Sequence, residues 1–245
     1  MGPQAGFDLA SKITSATTVK ADQDHHSLVV LSFPSDIPDR SEFLLGETPV
    51  NPSDTLFRQL QILDEMDVAV AAIACNTAHA SPIIEPVKTA VVKNDLQLQL
   101  LDLIEQTVEY IRRVHPAVER VGVLGTRGTY QFKLYDVALE NAGLQIIRPD
   151  VSITEEFVFP AIYDPGFGIK TFSNPVTETA RDHVGYAIKH LSEKNAELVI
   201  LGCTELPLVF SFSPLSAGTE LNHDVILIDP AVAMAEALIR FVKTL

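Results

Sequence analysis

The sequence predicts an α/β protein: two similar α/β units with parallel sheets, related by an internal repeat and facing each other across a cleft. Three observations predict it. Short apolar runs alternate with helical patterns along the whole chain, as in βα units. Two of these runs, Val68 to Ala74 and Ala196 to Gly202, pass straight into a cysteine and two polar residues: Cys75-Asn76-Thr77 and Cys203-Thr204-Glu205. They are the only two cysteines among 245 residues. The third observation is a repeat. The turn MGPQAG precedes Cys75 by 73 residues counted from Gly2, and VGVLGTRGTY precedes Cys203 by 75 counted from Gly128. Residues 1–105 with 216–245 are therefore expected to form the first unit, and residues 106–215 the second.

Taken in order, the chain opens on a Gly-Pro turn followed by a helical stretch from about Phe7 to Thr14. Thr17 to Asp24 is polar and reads as loop. Leu28 to Phe33 (LVVLSF) is a buried-strand candidate, ending in the loop Pro34 to Arg40. Asn51-Pro52-Ser53-Asp54 starts a helix with Leu56, Leu60 and Leu63 on one face. That helix leads into the Val68 strand, whose uncharged run is that of a strand covered on both faces. Pro82 and Pro86 predict a short helix and a break after Ser81. Leu98 to Leu101 is a weak strand, and the helix after it stops at Pro116.

The second unit repeats the plan. Val121 to Leu124 is a strand ending in the donor-rich turn Gly125-Thr126-Arg127-Gly128-Thr129. A helix to Ala142 follows, with Gly143 just past its end, where a left-handed residue is favoured. Leu144 to Ile147 is a strand. Pro160 to Pro175 reads as loop with Lys170 in its middle. Glu178 to Lys194 is a helix lined by Val184, Ile188 and Leu191, and the second cysteine strand follows it. Val225 to Ile228 is the last strand, and the last helix carries Met234, Leu238, Phe241 and Leu245 on one side; both are expected to return to the first unit.

Composition narrows the function classes. Charged residues make up 20% and hydrophobic residues 47%, as in ordinary globular proteins. A formal charge of −14 argues against nucleic acid or a membrane surface as partner. No apolar run reaches membrane-span length, and the start has no signal-peptide pattern. Two cysteines without a C-x-x-C give neither a disulfide framework nor a metal site, and a reducing cytoplasmic setting is expected.

The chemistry lies in the cysteines. In open α/β sheets ligands bind at the carboxyl ends of strands, and a thiol there meets backbone N–H groups that favour thiolate. A lone cysteine is usually an inert core residue, but two at the same kind of position read as a pair on opposed walls. Such a pair suits inversion of a carbon centre, which needs a base on one face and an acid on the other.

CNTAHA at Cys75, GCTEL at Gly202, MGP at the start and DQDH…IPDR from Asp22 to Arg40 together resemble the aspartate racemases of the cofactor-independent aspartate/glutamate racemase superfamily. GTRGTY at Gly125 and GFGIK ending at Lys170 extend the resemblance over nearly the whole chain. It implies racemisation of an acidic amino acid without a cofactor, Cys75 and Cys203 serving as the two catalytic groups and Arg40 and Lys170 binding the substrate's carboxylates. Asn76, Thr77, Thr129 and Thr204 are the candidates to stabilise developing carboxylate charge. Glu205 either orients the substrate ammonium, tunes Cys203 or caps a helix. His79 divides evenly between a structural and a catalytic role, and His25 and His26 stay unassigned. The expected partner is a small dicarboxylic amino acid, and the expected assembly a homodimer.

Two departures from the family pattern matter. The family usually has a complete strand before the turn with which this chain starts, so an apolar strand ending in Gly-Gly is expected upstream. It also usually has Thr where Gly6 stands here. The competing readings are a relative with other chemistry (hydantoin racemase, maleate isomerase or arylmalonate decarboxylase) and a non-catalytic binding protein that keeps the cleft. The paired thiols count against a decarboxylase, and the two cations against a neutral hydantoin.

Overall fold

Strands and helices alternate, as expected, in a computed structural model that describes residues 1–210, 219–222 and 225–245. Pro3 fixes the first turn of α1 (Pro3–Ala16), which buries Leu9 and Ile13. Then come α2 (Arg40–Leu44), α3 (Ser53–Glu65), β1 (Val70–Ala72), α4 (Ser81–Lys93), β2 (Gln99–Leu101) and α5 (Leu103–Val114). β1 and β2 pair in parallel and form the sheet of the first unit.

The second unit holds β3 (Arg120–Gly125), α6 (Arg127–Gln131), α7 (Asp136–Asn141), β4 (Gln145–Ile147), α8 (Val151–Ile153), α9 (Phe159–Tyr163), α10 (Glu178–Glu193) and β5 (Leu198–Gly202). After these come β6 (Thr219–Asn222), β7 (Val225–Ile228) and α11 (Pro230–Val242). The sheet runs β4-β3-β5-β7-β6 and is parallel except for β6. β5 is buried along its whole length, which is why its sequence is an unbroken apolar run. Gly125 lies opposite Gly202 in the register, so Thr126 and Cys203 leave the sheet side by side.

Several expectations are corrected. Leu28 to Phe33 joins no sheet, and Leu28, Val30 and Phe33 are 45%, 40% and 46% exposed. An apolar cavity of about 160 Å³ separates this stretch from Val68 to Ala74, with Leu9 and Ile13 of α1 in its wall. No strand edge is therefore within its reach. The strand Val225–Ile228 pairs with β5 and so belongs to the sheet of the second unit, not the first. The helix after it, α11, packs against both α1 and α5.

Proline explains two further differences. α4 runs through Pro86 without a break. Pro86 has no N–H for the Pro82 carbonyl, and the Asn51 side chain donates to that oxygen instead, at 3.0 Å. Val151 to Tyr163, expected to be loop from Pro160 on, is helical, with a π turn at Thr154–Val158 just before Pro160. The widened turn accommodates a residue that cannot donate to the preceding turn. The helix expected from Thr129 to Ala142 is split, with Lys133 at φ 49° between α6 and α7. Gly143 takes the left-handed conformation at φ 68° that its position predicts.

The two ends of the chain are locked together. Leu9 and Ile13 of α1 pack with Met234, Leu238 and Ile239 of α11. Within that contact Lys12 pairs with the fully buried Asp229 at 2.7 Å and with Asp8. Asp229 also caps α11 by accepting from the Ala231 N–H at 2.8 Å.

Candidate active site

Both cysteines are brought to one place by the strands that precede them. Cys203 follows β5 directly, and Cys75 follows β1 by three residues in extended backbone. Both are buried and reduced, at 8% and 4% exposure for Cys75 and Cys203. They line one small cavity with Arg40, Ser41, Asn76 and Thr77 from the first unit and Thr126, Lys170, Thr204 and Glu205 from the second. Its volume is about 10 Å³, room for one water molecule and far too little for an amino acid. The site is therefore closed in this conformation.

The repeat read from the sequence reappears as reciprocal packing. A Cβ on Gly2 would lie 2.4 Å from Oε1 of Glu205, two residues after Cys203. A Cβ on Gly128 would lie 2.8 Å from Cγ2 of Thr77, two residues after Cys75. Each unit thus presses a glycine onto the loop that carries the other unit's cysteine. A side chain at Gly128 would have to displace Thr77 and Leu44, and one at Gly2 would push the Glu205 carboxylate aside.

Hydrogen bonds stitch the same seam. Thr77 Oγ1 lies 2.9 Å from Thr126 Oγ1, and Tyr135 donates to Asn76 Oδ1. Thr204 donates to the Ala74 carbonyl at 3.4 Å. With its oxygen taken, Asn76 keeps a buried Nδ2 with no partner, and Arg40 keeps a buried Nε in the same condition. Both residues line the cavity, and leaving a buried donor unmet costs free energy.

The charges are arranged unequally around the two sulfurs. Arg40, only 7% exposed, donates to the Pro38 carbonyl at 3.1 Å, and Cys75 and Asp39 help to hold its charge against burial. Cys203 donates its thiol proton to Glu205 Oε2 at 3.0 Å. Burial, and then the neighbouring Glu205 carboxylate, push the Cys203 thiol well above its ordinary value. Lys170 pairs with Asp39 at 3.1 Å and lies 4.5 Å from the centre of the Tyr163 ring. Burial works against its charge, yet Tyr163, Asp39, Cys203 and Glu205 together hold it above the usual lysine value.

Thr129 is displaced from its expected role. Its hydroxyl bonds to Thr126 at 3.1 Å and to the Gly202 carbonyl at 3.3 Å, behind the cavity wall, where it braces Thr126. Thr126 and Ser41 are lining residues that the sequence reading missed. Thr126 was signalled by the same donor-rich turn. Ser41, whose hydroxyl lies 3.0 Å from that of Tyr163, carried no signal.

His79 is held at both ring nitrogens. Nδ1 lies 2.9 Å from the Cys75 carbonyl, and Nε2 accepts from the Leu103 N–H at 3.2 Å. With Nε2 accepting, Nδ1 carries the proton and the ring is neutral. Burial lowers its basicity further. His79 is thus a tether for the Cys75 backbone. His25 and His26 do not line the cavity.

A wider pocket of about 460 Å³ lies outside the closed cavity, walled in part by Asp39, Ser41, Tyr163 and Lys170. The contacts Asp39–Lys170 and Ser41–Tyr163 lie in its wall, and Ser41 and Lys170 line the thiol cavity as well. Among the described residues no helix is long and apolar enough to cross a membrane.

Comparison with known proteins places this geometry. The chain is 26% identical over 176 residues to glutamate racemase 3 of Caldanaerobacter subterraneus subsp. tengcongensis, covering 72% of this chain and 56% of that protein. It is 26% identical over 171 residues to a glutamate racemase of Limosilactobacillus reuteri, covering 70% and 56%. The chain thus spans little more than half the length of these relatives. In structure it is similar to the aspartate racemase of Picrophilus torridus, with a TM-score of 0.77 at 24% identity over 99% of this chain and 90% of the other. An aspartate racemase homologue from Pyrococcus horikoshii follows at a TM-score of 0.69 and 22% identity, covering 98% and 95%. These two likenesses establish the fold. The model of one family, Asp/Glu/Hydantoin racemase, matches residues 1–238, and the chain belongs to that family.

Proposed function

We propose that this chain racemises an acidic amino acid, aspartate or glutamate, by a two-thiol mechanism that needs no cofactor. The observation that carries the reading is the meeting of Cys75 and Cys203 in one buried cavity with two cations, Arg40 and Lys170. One sulfur removes the α-proton, and the other returns a proton to the opposite face. The electron pair left on the α-carbon spreads into the substrate carboxylate, to which Arg40 and Asn76, each with a buried donor lacking a partner, supply hydrogen bonds. Lys170 takes the side-chain carboxylate in exchange for Asp39. Entry requires the cavity to widen, because as it stands it does not hold an amino acid. The acidic chain as a whole repels such a substrate, so local cations must hold it.

The experiment is solvent exchange. Each enantiomer of aspartate and of glutamate is incubated with the protein in deuterated buffer, and loss of the α-proton is followed by NMR. Exchange with formation of the opposite enantiomer is expected for at least one of the two amino acids. Binding without exchange for all four would replace this reading by that of a binding protein. A homodimer in the cytoplasm completes the proposal, and the mass in solution, measured by light scattering, tests the assembly.

A further inference from the structure

Tyr135 touches both cysteine loops without lining the cavity they enclose. Its buried ring packs in one core cluster with Val123, Leu139, Leu198 and Ile200. A Cβ on Gly202, the residue before Cys203, would lie 3.2 Å from Cε2 of Tyr135, so the ring edge rests against that strand. The hydroxyl reaches the other loop and donates to Oδ1 of Asn76, the residue after Cys75. The break between α6 and α7, at Lys133 with φ 49°, falls two residues before Tyr135, which stands at the N-cap of α7.

An asparagine amide has an accepting end and a donating end of nearly the same shape. A carboxylate can use only the donating end. Burial keeps the Tyr135 phenol neutral, so it has one proton to give, and that proton goes to Asn76 Oδ1. Asn76 lines the cavity, is 1% exposed, and has an Nδ2 without a partner. Turning the amide over would lose the bond from the phenol and exchange the free donor for a free acceptor. From these contacts, and resting on the racemase reading above, we infer that Tyr135 is a positioning residue whose proton fixes the Asn76 amide, leaving its N–H for the substrate carboxylate.

The other donors in the wall do not need such a partner. Ser41, Thr77, Thr126 and Thr204 carry hydroxyls that rotate to suit, and the Arg40 and Lys170 side chains hold donors only. Among the described residues Asn76 is the one side-chain amide in the wall, and so the one group whose polarity must be chosen. The choice matters most as the α-proton leaves, because charge then builds on the carboxylate. A reversed amide would meet that charge with a carbonyl oxygen. Tyr135 therefore bears on kcat more than on KM.

Tyr135→Phe keeps the ring against Gly202 and removes only the hydroxyl. It is expected to lower kcat at least about tenfold, with a smaller change in KM. A double-variant comparison separates this from a structural role. In an Asn76→Ala background, adding Tyr135→Phe should change kcat by less than about twofold, because no amide is left to orient. An equal loss in both backgrounds, or an unchanged kcat in folded Tyr135→Phe, overturns the inference. If Tyr135→Phe does not fold, Asn76→Asp puts the same question: its carboxylate still accepts from the phenol but has no N–H. There kcat should fall at least about tenfold, and full kcat overturns the inference. One readout needs no turnover. The Asn76 side-chain amide signal in NMR of isotope-labelled protein, identified by its loss in Asn76→Ala, should shift in Tyr135→Phe, and an unmoved signal overturns the inference. That shift without α-proton exchange by the wild type would remove the racemase reading and leave the hold of Tyr135 on Asn76 standing.

Discussion

Lys170 is held by Asp39 across the cleft, Nζ to Oδ2 at 3.1 Å, while Asp39 caps α2 through its other oxygen. An internal carboxylate thus occupies the cation to which a substrate carboxylate is assigned. Lys170 lines the thiol cavity, and both residues line the wider pocket outside it. On the proposed function, binding is an exchange of one carboxylate for another, and its cost is the loss of the internal pair.

Asp39→Asn should test this exchange. Asparagine keeps the capping oxygen for the Ser41 and Glu42 N–H groups but gives up the charge. A partly exposed ion pair contributes on the order of 0.2–1 kcal/mol, so KM is expected to fall by up to about fivefold while the melting temperature drops by no more than about 4 °C. A rise in KM would mean that Asp39 helps to hold substrate.

Removing Lys170 should act in the opposite direction. Hydrogen bonds to charged groups contribute about 1.5–3 kcal/mol, so Lys170→Ala is expected to raise KM at least about tenfold. Arg40→Ala should do the same and also lower the melting temperature, because Arg40 is buried and Lys170 is less so. Unchanged kinetics in a folded Lys170→Ala protein would return that residue to the role of a structural ion pair.

The cysteines give the sharpest outcome. Either Cys75→Ala or Cys203→Ala should abolish racemisation in both directions, because each direction needs one base and one acid. A single variant is expected to exchange the α-proton of at most one enantiomer in deuterated buffer. Full turnover by either variant contradicts the two-thiol mechanism.

Legibility in the sequence tracked how local the cause was. The cysteine strands, the Gly143 stop and the Gly2 and Gly128 turns were readable because burial and backbone conformation constrain those residues where they stand. Pro86 misled because its rescue comes from Asn51, a partner 35 residues away. Leu28 to Phe33 misled differently: its apolar pattern is that of a strand, but pairing requires a neighbour, and a cavity lies where one would run. In the site, Ser41 and Tyr163 were invisible because each matters only through the other.

That cavity makes a prediction of its own. In the second sheet β3 lies between β4 and β5, and the cavity has the same place between Leu28 to Phe33 and β1. A designed Ile/Val-rich strand ending in Gly-Gly, joined ahead of Met1, would find apolar walls and two unpaired edges there. It should raise the melting temperature and bring Leu28 to Phe33 into a ladder, with slowed amide exchange across that stretch. No change in either would show that the cavity does not admit a strand.

Acid should weaken the fold in two stages, and the sign of each can be worked out. His79 is buried and neutral, so its folded value lies below that of the unfolded chain. Unfolding therefore takes up a proton, and stability falls as pH drops below the unfolded value of about 6.5, by at most about 1.4 kcal/mol per pH unit. Asp102 acts lower on the scale. Burial alone would raise its value, but Lys88 and the backbone N–H groups it caps bring it below the ordinary carboxylate range. Its contribution is present above the unfolded value of about 3.9 and is lost as pH falls through the lower folded value. Melting temperature measured against pH should accordingly decline from about pH 6.5 and again below about 4. His79→Gln should flatten the first decline while lowering the plateau, because glutamine does not titrate but reproduces the two hydrogen bonds imperfectly. If the first decline survives in His79→Gln, it belongs to another group, and the tether on Cys75 is not what acid breaks.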